Sequence, residues 1–257
     1  MHDRGFMLLW SWIMTVAVIG LLSMTQVAQA FTVTRIANIY LDPGGSRPEG
    51  FTHFRNELVF SAAELMTGTE LWSYDGHQVR QLADIRPGFD GSLPSSFTVF
   101  GNELVFSAND GITGIELWSY DGHQVRQLAD INPAGSSFPI NATVFRHELV
   151  FSADDGTTGQ ELWSYDGHQV RQLADIRPGA LGSGPLLFTV LGDELVFIAF
   201  DDTTGQELWS YDGHQVRQLA DINPAGSSTP INPTVFRHEL VFSADDGMIG
   251  RELWRLE

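Results

Sequence analysis

Acidic pairs recur at one place in a repeated unit of this chain. They are Asp154-Asp155, Asp201-Asp202 and Asp245-Asp246, with Asn109-Asp110 in a further copy and Ala62-Ala63-Glu64-Leu65 in the divergent one. Oxygen-only donor sets suit calcium, so metal capture is one chemistry open to them. Yet the spacing matches no full calcium loop, and Asp-Gly is also ordinary turn chemistry. Polar loops held on a rigid scaffold are where ligands bind. Asn109, Asp110, Asp154, Asp155, Asp201, Asp202, Asp245 and Asp246 are therefore the candidate ligand-binding residues, with calcium as a possible occupant and no other cofactor expected.

Tryptophan recurs as well, in Glu-Leu-Trp, at Trp72, Trp118, Trp163, Trp209 and Trp254. Stacking on sugars is one reading. Burial between neighbouring units is the structural one, and it is preferred here. Glutamates beside buried tryptophans need hydrogen-bonded partners, which points to a clasp on backbone or arginine rather than to a catalytic acid. His77, His123, His168 and His214 each follow Asp-Gly and read as surface turn residues. No catalytic set emerges: there is no nucleophile elbow, no cysteine, no zinc-type histidine spacing and no phosphate loop. The expectation is that the chain is not an enzyme.

The elements that position these groups follow from the repeat. The tryptophan intervals are 46, 45, 46 and 45 residues, and Glu-Leu-Val-Phe starts at Glu57, Glu103, Glu148, Glu194 and Glu239. Within one unit, Phe97–Phe100, Glu103–Ala108, Glu116–Tyr120 and His123–Ile131 read as four short strands rich in Val, Phe, Trp and Tyr. Gly101-Asn102 and Asp121-Gly122 are two-residue hairpin turns, whose central positions favour positive φ. Four strands per period of this length is the blade pattern of a β-propeller. The expected fold is all-β, a five-bladed propeller of four antiparallel strands per blade. The last unit ends in its third strand, and Phe31–Ile39 aligns without gaps on His123–Ile131, so that N-terminal strand is expected to complete the fifth blade. Tight turns then crowd one face and long loops the opposite one.

The Asp-Asp-Gly-Thr-Thr-Gly loop, Glu-Leu-Trp and Asp-Gly of Ala153–Gly167 resemble the ELWxxDGT repeat family of secreted bacterial proteins. The resemblance spans residues 31–257, with histidine where that pattern has threonine. It implies a propeller at the cell exterior and transfers no activity. At the level of layout alone the chain is similar to five-bladed lectins of the tachylectin type.

Residues 1–30 read as a signal peptide, with an apolar run from Phe6 to Leu22 and Ala28-Gln29-Ala30 as cleavage site; an uncleaved anchor is the alternative. The propeller is then 31–257. The formal charge is −18, every basic residue is arginine, and there is no cysteine. Nucleic acid and anionic lipid are repelled at long range, and no disulfide supports the fold. The expected function is a secreted or cell-surface binding module, periplasmic placement being possible. It is multivalent and glycan-directed, with a glycan or other cell-surface ligand as partner. A structural or protein-interaction component of the envelope is the alternative, and a glycoside- or lactone-active hydrolase the third reading.

Overall fold

Each repeat becomes one antiparallel sheet, in a computed structural model that describes residues 32–41 and 43–257. The first sheet runs β1 (Glu49–Phe54), β2 (Glu57–Glu64), β3 (Gly68–Tyr74) and β4 (Val79–Ala83). The second runs β5 (Ser95–Phe100), β6 (Glu103–Asn109), β7 (Ile115–Tyr120) and β8 (Val125–Ala129). The third holds β9 (Ile140–Phe145), β10 (Glu148–Asp154), β11 (Gln160–Tyr165) and β12 (Val170–Ala174). The fourth holds β13 (Leu186–Leu191), β14 (Glu194–Asp201), β15 (Gly205–Tyr211) and β16 (Val216–Ala220). The fifth has three strands, β17 (Ile231–Phe236), β18 (Glu239–Asp245) and β19 (Arg251–Leu256). Among the described residues there is no helix, and so none long and apolar enough to cross a membrane.

Strands follow one another in sequence order within every sheet, as two-residue turns and short loops dictate. Successive sheets touch through their first strands, β1 to β5, β9, β13 and β17. Both faces of each interior sheet are therefore buried. Leu104, Phe106 and Tyr120 of the second sheet pack on Phe54, Val59 and Leu71 of the first. On the other face Val105 and Leu117 pack on Leu149, Phe151 and Tyr165 of the third. Sheets one to four carry two β-bulges each, and the three-stranded fifth carries one. One sits in the first strand, where Ser96, Asn141, Leu187 and Asn232 take positive φ. The other skips Leu82, Leu128, Leu173 and Leu219 in the fourth strand.

The expected closure differs from what is seen. Thr32–Ile39 forms no strand, and Val33 and Ile36 stand 97% and 64% exposed. Among the described residues the fifth sheet has three strands, with β19 at its edge. Hydrophobic clusters join sheets one to two, two to three, three to four and four to five; among the described residues none joins five to one. The alignment identified a sequence that can pair. The expected signal segment, residues 1–30, lies outside the described residues.

Candidate functional site

Tight turns and long loops do separate to opposite ends. Arg55, in the β1–β2 turn, donates to the carbonyl of Asn102 in the β5–β6 turn at 3.2 Å and lies against Gly122 in the β7–β8 turn. At the other end Gly114, in the β6–β7 loop, lies against Gly135 and Ser136 of the link to the third sheet.

The acidic loop residues are spent on their own turns. Asp110 accepts the amides of Ile112 and Thr113, both at 2.8 Å, and the Thr113 hydroxyl at 3.1 Å. Asp155 does the same for Thr157 and Thr158, and Asp246 for Met248 and Ile249. Burial pulls Asp110 and Asp155 up, but the amides and threonine hydroxyl outweigh it and hold both carboxyls below the usual range. Asn109, Asp154 and Asp245 each accept the glycine amide two residues on. In the fourth sheet Asp201 caps Thr203 and Thr204, so it corresponds to Asp155. Phe200 then stands in the place of Asp154, and Asp202 instead pairs with Arg177 at 2.8 Å. Glu64 takes over this capping in the first sheet. Among the described residues no group of three or more His, Cys, Asp or Glu is gathered to hold a metal. Chelator is therefore expected to leave the melting temperature unchanged, and a drop that calcium restores would return these oxygens to a metal.

The residues that build the loop face come instead from the links. A cleft of about 350 Å³ is lined by Arg86, Asn109, Thr113, Gly114, Pro133 and Ser136. Arginine and asparagine alternate here along the chain. Arg86 and Arg177 follow the first and third sheets, where Arg177 also lies 4.6 Å over the Phe200 ring. Asn132 and Asn223 follow the second and fourth, against Gly156 and Gly247. Sequence reading passed over this alternation, although Ile-Arg-Pro and Ile-Asn-Pro carry it openly.

Beneath the links lies the clasp. Glu70, Glu116, Glu161 and Glu207 are wholly buried. Each accepts the hydroxyl of a link serine: Ser92, Ser137 and Ser183 at 2.6 Å, and Ser228 at 2.5 Å. Each also accepts that serine's amide and the amide of Ile85, Ile131, Ile176 or Ile222. Burial pushes these carboxyls up, and the serine and amide bonds pull them partly back. Trp118, Trp163, Trp209 and Trp254 pack on the cluster that joins their sheet to the preceding one. They are half-buried rather than enclosed. His77, His123, His168 and His214 sit exposed on the tight-turn end, their amides bonded to Asp75, Asp121, Asp166 and Asp212. At that end too, Glu103 accepts from Arg126 at 2.5 Å and from the Tyr165 hydroxyl of the next sheet at 2.9 Å.

The fold is β-propeller-like. Among solved structures the chain is similar to a puromycin-hydrolyzing peptidase from Mycobacterium tuberculosis, with a TM-score of 0.50 at 15% identity, over 82% of this chain and 39% of that one. A prolyl endopeptidase gives 0.49 at 11%, over 78% and 33%. The β-propeller domain of the Trilobed protease from Pyrococcus furiosus gives 0.43 at 15%, over 66% and 54%. The chain thus spans about a third to a half of the length of these structures. No protein-family model matches it, and no curated protein sequence does. At these identities the likeness concerns the fold. It nonetheless corrects the expectation that the chain is not an enzyme: its fold occurs within peptidases, beside parts this chain does not span, so a missing catalytic motif here excludes no enzymatic role.

Proposed function

We propose that the chain is an exported binding module, acting at the cell surface or outside the cell, whose repeated loop-and-link clefts engage glycans multivalently. The observation that carries this reading is the polar cleft between Arg86, the β6–β7 loop and the Pro133–Ser136 link, whose arginine returns in the sequence at Arg177. It offers a guanidinium, an amide, hydroxyls and bare glycine backbone, groups suited to sugar hydroxyls. The resemblance to the ELWxxDGT repeats supports an exterior address, and a charge of −18 disfavours nucleic acid while leaving neutral glycans unopposed.

Each cleft is small and open, so single-site affinity is expected to be weak. Engaging several at once raises avidity by about 10²–10⁴ without a new contact. A glycan array printed at high and low density tests this. Binding is expected at high density and to fade at low density. A blank array, or binding indifferent to density, contradicts the proposal.

A further inference from the structure

The four sheet-to-sheet junctions share one chemistry, and the molecule carries both halves of a fifth that it does not make. We propose that the bare face of the fifth sheet docks on the bare face of the first sheet of a second copy, head to tail.

The fifth sheet presents what its predecessors bury. Leu253 is 78% exposed, whereas its counterparts Leu71, Leu117, Leu162 and Leu208 are at most 2% exposed. Phe236 is 57% exposed where Phe54 and Phe145 are 3%. Glu252 is also exposed, although its four counterparts are the buried acceptors of the serine clasp.

The first sheet presents the complementary half. Residues 36–54 align without gaps on 82–100, which places Ser46 where Ser92 stands. The structure agrees: the Ser46 carbonyl accepts the Ala63 amide at 2.8 Å, as the Ser92 carbonyl accepts that of Asn109 at 2.9 Å. Ser46 lies in the wall of an open cavity of about 640 Å³, beside Tyr40, and among the described residues no carboxylate meets its hydroxyl. By the pattern of the made junctions, Glu252 of one copy accepts the Ser46 hydroxyl and amide and the Ile39 amide of the next.

Two more pairs fit the same register. Tyr165 and Tyr211 donate to Glu103 and Glu148 of the sheet before them, at 2.9 and 3.0 Å. Tyr74 has no sheet before it and donates to the Gly76 carbonyl; its matching acceptor is Glu239. Arg55 and Arg146 each reach the turn carbonyl 47 residues on; the same step from Arg237 is a turn carbonyl of the first sheet, Asn56. Among the described residues of one chain the two halves share no hydrophobic cluster. A second copy meets the same groups without disturbing any of them. Such a heterologous contact adds copies end to end unless its rotation closes a ring.

The chain has no cysteine, so paired cysteines report the contact cleanly. The variant Ser46→Cys with Glu252→Cys is oxidised and run without reductant, beside Ser92→Cys with Glu70→Cys as a reference for a made junction. The expected result is a ladder of covalent multimers for the first pair and a bond within one chain for the second. A bond within one chain for the first pair overturns the proposal in favour of closure on the chain's own first sheet. Sedimentation keeps the test independent of those variants. The unmodified chain should gain mass with concentration, and Glu252→Ala should weaken that association at least about tenfold, which is about 1.4 kcal/mol. A monomer at every concentration overturns it equally.

Discussion

Replacing Glu161 with alanine is expected to lower stability by at least about 3 kcal/mol. The carboxylate accepts the Ser183 amide at 2.8 Å, the Ser183 hydroxyl at 2.6 Å, and the amides of Ile176 and Arg177 at 3.0 and 3.1 Å. Alanine leaves these donors facing a dry void, and each buried group without a partner costs about 1–3 kcal/mol. For a chain of this size the melting temperature should fall by about 6–12 °C. Glu252→Ala is the internal control. Its side chain is exposed and makes no clasp within the chain, so in dilute monomer its effect should stay within about 0.5 kcal/mol. Equal effects at the two positions would mean that the clasp does not hold the junctions.

Gly182→Ala should be comparably damaging for a different reason. Gly182 has a φ of +65° and lies against the backbone of Gln160, where an added Cβ would meet both the amide nitrogen and the carbonyl oxygen. Overpacking of about 1–3 kcal/mol then adds to about 1–2 kcal/mol for a left-handed side-chain-bearing residue. The link would be forced off β11, and the Ser183 clasp beside it would open. Gly192 shares the positive φ, at +57°, but has nothing within 4 Å. Gly192→Ala should therefore show the conformational cost alone. Thermal melts of the two variants separate the contributions, and similar melting temperatures would contradict the close approach.

Much of the architecture is visible in the repeat because strand pairing here is local. Gly101-Asn102 and Asp121-Gly122 each join strands adjacent in sequence, so turn chemistry and alternation are enough to place β5 to β8. The clasp was visible in kind, since a glutamate within a buried Glu-Leu-Trp must find donors; its partner Ser183 was not, because it lies 22 residues away on a link with no strand pattern. The bulges at Ser96 and Leu128 were missed because both preserve residue type while skipping a register position. Asp201 and Asp202 were placed by likeness of letters. The loop has the same length as its counterparts, but Phe200 takes the position of Asp154, so the cap falls to Asp201 and Asp202 reaches Arg177. That Thr32–Ile39 forms no strand was not legible, because likeness to His123–Ile131 shows a sequence able to form a strand and not whether a partner edge is within its reach.

Several weak clefts, rather than one tight site, are proposed to bind the ligand. Calorimetric titration of the chain with a monovalent form of the glycan chosen by the array is the decisive measurement. At least two weak sites per chain are expected, with Arg86→Ala and Arg177→Ala each lowering the count. A single tight site, unaffected by either substitution, would contradict it.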